Sequence, residues 1–140
     1  MGIFDKLKGS SALPPLDASS PAERLIEPYA ERLADLADRA GTLEIVTAGE
    51  GLYVFVGKPP KNFGLVWYHD GEEQNFKKLA EERGFAYAQL ERFSNDLRDA
   101  YTRHQNEPRF ARKLARHTAT VIPSESFGED VSAIVGAYTA

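Results

Sequence analysis

The chain has 140 residues, a formal net charge of −4 and no cysteine. A chain of this length can bury about two thirds of its unfolded surface in one domain and needs no covalent staple. The lack of thiols excludes disulfides, zinc ribbons and thiolate chemistry, and agrees with a reducing, cytoplasmic location. No stretch approaches the roughly 18 uninterrupted apolar residues that span a bilayer, the first residues carry no apolar leader core, and the mild negative charge gives no global attraction to nucleic acid.

In chain order, Ile3, Phe4 and Leu7 stand at helical spacing beside Lys6 and Lys8, an amphipathic opener too short to be stable alone in water. The segment 9–20 is rich in Ser, Pro and Gly and reads as an extended tether. Ser20, Pro21 and Glu23 then supply an N-cap, a first-turn proline and a capping-box acid. Leu25, Ile26, Tyr29, Leu33 and Leu36 follow at helical spacing, which predicts one helix from Pro21 to Ala40 with Gly41 as its left-handed stop.

Two β-branched and aromatic runs, Leu43 to Thr47 and Leu52 to Val56, flank Ala48, Gly49, Glu50 and Gly51 and predict a hairpin. A second hairpin from Leu65 to Phe76 turns at Asp70 and Gly71, residues that accept the positive φ of a type I′ turn. With those two in the loop, His69 lies opposite Glu72, Tyr68 opposite Glu73, Trp67 opposite Gln74, Val66 opposite Asn75 and Leu65 opposite Phe76. The strand period of two puts Leu65, Trp67 and Phe76 on one face and Val66 and Tyr68 on the other, so both faces call for helical cover.

From Lys77 the period becomes helical: a short segment with Leu79 and Ala80 ends at Gly84, and Ala86, Leu90, Phe93, Leu97 and Tyr101 form a longer stripe in which Ser94 to Asp96 can cap a break. Pro108 stops this helix by about Gln105 or Asn106. Arg109 to His117 can be drawn as helix or as strand, Thr118 to Ile122 as strand, and Ser124 or Ser126 caps a last helix through Val131, Ile134, Val135 and Tyr138. The order α-β-β-β-β-α-(α)-β-α predicts an α+β fold: a four- to five-stranded, mostly antiparallel sheet of two consecutive hairpins packed with amphipathic helices. Residues 1–20 form the opener and tether, and residues 21–140 the single α+β domain.

Few residue patterns carry chemistry. His69 opposite Glu72 offers an acid or base with a carboxylate to orient it, but a solvated hairpin tip explains the same residues, with the pair adding only about 0.2 to 1 kcal/mol. Arg109, Arg112, Lys113 and Arg116 share a narrow face if their segment is helical, a face suited to phosphate, RNA or an acidic partner; on a strand they divide between two surfaces. His104 and Glu107 are spaced like two ligands on a helix, and Pro108 disrupts the turn they need, so no metal site and no cofactor is expected. There is no phosphate-cradling glycine loop and no serine elbow.

The reading that follows is a non-catalytic binding or regulatory module. Its body takes a protein partner or small ligand, and Ile3, Phe4 and Leu7 form a docking peptide. The alternatives are a small enzyme acting on an anionic substrate with His69 as acid or base, and nucleic-acid binding through residues 109–116, which the absence of a nucleic-acid fold signature argues against. Nothing in the sequence sets the oligomeric state.

Overall fold

The computed structural model describes residues 13–49 and 51–139. Its elements run α1 (Pro21–Ile26), a 3₁₀ turn (Glu27–Tyr29), α2 (Ala30–Ala40), β1 (Leu43–Ala48), β2 (Gly51–Lys58), β3 (Asn62–His69), β4 (Glu72–Asn75), α3 (Phe76–Arg83), α4 (Tyr87–Arg103), β5 (Phe110–Leu114), β6 (His117–Ile122) and α5 (Glu125–Thr139). The opener carrying Ile3, Phe4 and Leu7 lies outside the described residues.

The start of the domain follows its capping chemistry. Ser20 is extended, and its side chain accepts from the Glu23 amide at 3.2 Å. The single helix expected from Pro21 to Ala40 is interrupted, because Pro28 has no N–H to donate to the preceding turn and its ring crowds that turn; the chain tightens into the 3₁₀ turn and restarts. Gly41 ends α2 at φ 92°, ψ −121°, a conformation open to glycine. Upstream, the Ala111 amide donates to the Pro14 carbonyl and the Leu16 amide to the Ala111 carbonyl, so residues 14–16 lie alongside β5.

Among the described residues the sheet has six strands, in the order β4-β3-β2-β1-β6-β5, against the four to five expected. Its first four strands are the two predicted hairpins, antiparallel throughout. The β3–β4 register is the expected one from His69↔Glu72 to Val66↔Asn75, and Asp70 and Gly71 both have positive φ. The ladder stops one pair short of Leu65–Phe76, because the Asn75 side chain accepts from the Lys78 amide at 2.9 Å and turns Phe76 into the first residue of α3.

The last third departs further from the sequence reading. Residues 110–114 are strand, paired antiparallel with β6 around a turn in which Ala115 has φ 56°. β6 lies parallel to β1, so the sheet is mixed and β1 sits inside it. α4 is continuous, without the break allowed at Ser94 to Asp96. The Ser124 hydroxyl, of the two serines proposed, caps α5 by accepting from the Phe127 amide at 3.2 Å.

The two sheet faces are covered by different parts of the chain. Ile26, Leu33 and Leu36 of α1 and α2 pack on Leu43, Ile45, Leu52, Val54, Val66 and Tyr68. On the opposite face, Val46, Phe55, Leu65 and Trp67 meet Leu79, Phe93, Leu97, Phe127 and Val131 from α3, α4 and α5. Contact between α5 and β1 is closest at Gly128, where a Cβ would meet the Thr47 carbonyl and lie 2.8 Å from the Ala48 Cβ. No helix among the described residues is long and apolar enough to cross a membrane.

Candidate functional site

The tight seat of α5 on β1 opens a cleft at the end of the sheet where β1 turns into β2 and β3 turns into β4. Its volume is about 530 Å³, against about 320 Å³ for the apolar groove that Leu36, Val56, Val66 and Phe76 line on the other face. Ala48, Gly51 and Tyr53 line it from the strands, Glu125, Glu129, Ser132 and Ala133 from α5, and His69 from the end of β3. Two glycines shape the turn: Gly49 has φ 54°, and a Cβ on Gly51 would come within 3.3 Å of the Tyr68 carbonyl. The β3–β4 tip that carries His69 is fastened from the other face, where Arg32 donates to the Gly71 carbonyl at 2.6 Å and the Gly71 amide donates to the Tyr29 hydroxyl at 3.2 Å.

The cleft's chemistry is acidic and partly apolar. Glu125, Glu129, Ser132 and Ala133 share the outward face of α5 and are exposed. Among the described residues neither glutamate has a cationic partner. His69 does lie opposite Glu72, yet its Nε2 is 3.2 Å from the Asp70 carboxylate, and the two side chains are 63% and 82% exposed. No arginine or lysine of residues 109–116 lines the cleft.

Those four cations are separated, as the strand conformation of β5 dictates. Arg109 donates to the carbonyls of Gln105 and Glu107 at 2.8 and 3.1 Å and lies over the Tyr101 ring. Arg112 points to the α1 face and pairs with Glu23 at 2.6 Å and Glu27 at 2.8 Å. That guanidinium holds the Glu23 carboxyl below its ordinary range. Arg116, in the β5–β6 turn, pairs with Asp38 at 3.0 Å beside His117, whose Nε2 is 2.6 Å from the same carboxylate. Lys113 is exposed.

A second constellation joins His104 and Glu107, a pair already marked by its spacing in the sequence, to Asp130, which no local pattern connects with them. His104 follows the last residue of α4 and its ring is held at both ends, Nδ1 3.0 Å from Glu107 and Nε2 2.7 Å from Asp130. It stacks on Phe127 with ring centroids 4.9 Å apart. A neutral imidazole has one N–H, so donation to two carboxylates requires imidazolium. Burial opposes that charge, but the Glu107 and Asp130 carboxylates outweigh it and raise the His104 pKa, while the imidazole's hydrogen bonds lower both carboxyl pKa values. With both nitrogens engaged the cluster is an ion clamp joining α4 to α5. Among the described residues no group of three or more His, Asp or Glu side chains is arranged to hold a metal.

Comparison with protein-family models, curated proteins and solved structures finds no match.

Proposed function

We propose that the protein is a non-catalytic binding or regulatory module whose cleft takes a basic, partly apolar peptide segment of a protein partner. The observation that carries this reading is the pairing of an apolar lining, Tyr53 and Ala133, with two glutamates on one helix face that have no counter-ion among the described residues. A cationic side chain entering the cleft would neutralise them, and an aromatic or aliphatic neighbour would cover the lining. The volume suits a few side chains.

The enzyme alternative draws less support. An anionic substrate would meet the carboxylates of Glu125 and Glu129, and the arginines assigned to hold it are spent elsewhere. Nucleic-acid binding through 109–116 loses its support for the same reason, since Arg112 and Arg116 are in ion pairs and the segment presents no single face.

The test is an amide-shift NMR titration of the full chain with a capped peptide, acetyl-Phe-Lys-Leu-Lys-amide, and with its Phe-Glu-Leu-Glu counterpart. Saturable shifts confined to Gly51, Tyr53, Ser132 and Ala133, given by the basic peptide alone and abolished by Glu125→Gln with Glu129→Gln, are expected. Equal response to both peptides, or no response to either in a chain also carrying Lys6→Glu and Lys8→Glu, would overturn the reading.

A further inference from the structure

Resting on that reading, we infer that the cleft has a resident occupant, the segment Phe4 to Lys8 of this same chain, which an incoming partner must displace. Three observations converge on it. The first is complementarity. In an extended segment Phe4, Lys6 and Lys8 project to one side and Asp5 and Leu7 to the other, so the side facing the cleft is aromatic and doubly basic. Lys6 and Lys8 are then about 7 Å apart. Glu125 and Glu129, four residues apart on α5, are separated by about 6 Å along its axis. Such a placement would set Lys8 against Glu125, Lys6 against Glu129, and Phe4 against Tyr53 and Ala133.

The second observation is direction. Residues 14–16 run parallel to β5, with Pro15 level with Ala111, and Ala111 is level with Thr120 and through it with Glu44 of β1. β5 runs opposite to β1, so the chain read backwards from Pro15 heads toward the Ala48 end of the sheet, where the cleft opens.

The third is reach. The cleft lies three to four strand positions from Pro15, about 14 to 19 Å across the sheet and a few residues up it. From Leu13, an extended chain reaches about 17 Å at Lys8, about 24 Å at Lys6 and about 31 Å at Phe4. The intervening surface is itself concave: a cavity lined by Ser20, Pro21, Thr47 and Pro123 shares Gly49 and Glu125 with the cleft.

The absence of cysteine allows a single nitroxide to be placed by Gly2→Cys in the full chain. The expected result is strong attenuation of the amide signals of Gly49, Gly51, Tyr53, Ser132 and Ala133, lost when Glu125→Gln and Glu129→Gln are added. A second arm measures the basic peptide of the preceding section. It should bind the Lys6→Glu, Lys8→Glu chain about three- to tenfold more tightly than the native chain, because freeing the cleft raises the binding-competent fraction. Uniform attenuation that ignores the glutamate variants, with equal peptide affinity for both chains, overturns the resident segment and leaves the binding reading standing. Absence of peptide binding to both chains overturns the two together. Attenuation that appears only when spin-labelled chain is mixed with isotope-labelled, spin-free chain assigns the occupant to a second copy and overturns the inference as stated.

Discussion

Substituting Gly128 by alanine puts one methyl group where α5 and β1 leave no room. The new Cβ would lie 2.8 Å from the Ala48 Cβ and 3.0 Å from the Ala48 Cα, and closer still to the Thr47 carbonyl. Ordinary contact begins near 3.4 Å, and the opposing atoms belong mostly to backbone, so α5 must lift by more than half an ångström. That lift loosens Phe127 and Val131, both fully buried, and even a small radial gap forfeits a sizeable part of each dispersion contact. Overpacking costs about 1 to 3 kcal/mol and more where nothing can yield, whereas alanine is favoured over glycine in a helix by about 1 kcal/mol. With backbone opposing the methyl the cost falls at the upper end of that range, and the net expectation is a loss of about 2 kcal/mol, or about 8 °C in Tm. Urea denaturation followed by the single tryptophan, the buried Trp67, reads it directly. Gly136 in the same helix is the internal control. No described residue comes within 4 Å of its Cβ position, so Gly136→Ala should stabilise by up to about 1 kcal/mol. If Gly128→Ala were neutral, or if both variants lost stability equally, the close approach of α5 to β1 would be refuted.

The His104 clamp fixes a pH window. A raised imidazole pKa contributes stability that is fully present below the unfolded value of 6.5 and is lost as pH rises through the folded value. The lowered carboxyls of Glu107 and Asp130 contribute above their unfolded values of 4.5 and 3.8 and lose that contribution as pH falls through the folded ones. NMR titration should place His104 above 6.5, and a midpoint at or below 6.5 would contradict the two-carboxylate geometry. Arg112→Ala leaves Glu23, itself only 17% exposed, without its partner and should cost about 2 kcal/mol in denaturant unfolding, less than for a fully buried pair. Adding Glu23→Gln should recover part of that loss, and a loss unchanged by the second substitution would show that the pair is not what Arg112 contributes.

What could be read from the sequence depended on how local its causes were. The β3–β4 register was legible because Asp70 and Gly71 dictate the turn and the alternation of Trp67 and Tyr68 does the rest. The break at Pro28 was missed, because the strong apolar stripe on either side of it obscured the proline's missing donor. Residues 109–116 alternate too weakly to choose a conformation by themselves; their pairing with β6, and β6's with β1, comes from tertiary contact. His69 was singled out, but its neighbours in the cleft were not, because Glu125 and Glu129 reach it only through the docking of α5 about sixty residues later in the chain. The same holds for Asp130, which joins His104 from 26 residues away.

The parallel pairing of β1 with β6 carries a consequence for how the chain matures. During synthesis from the amino end, β1 to β4 can zip as successive hairpins while β1's other edge, with Ile45 and Val46, stays open until more than seventy further residues have emerged. Translation arrested after α4 would therefore leave a four-stranded layer ending in a bare, greasy margin along β1, a template for self-association that only the final hairpin covers.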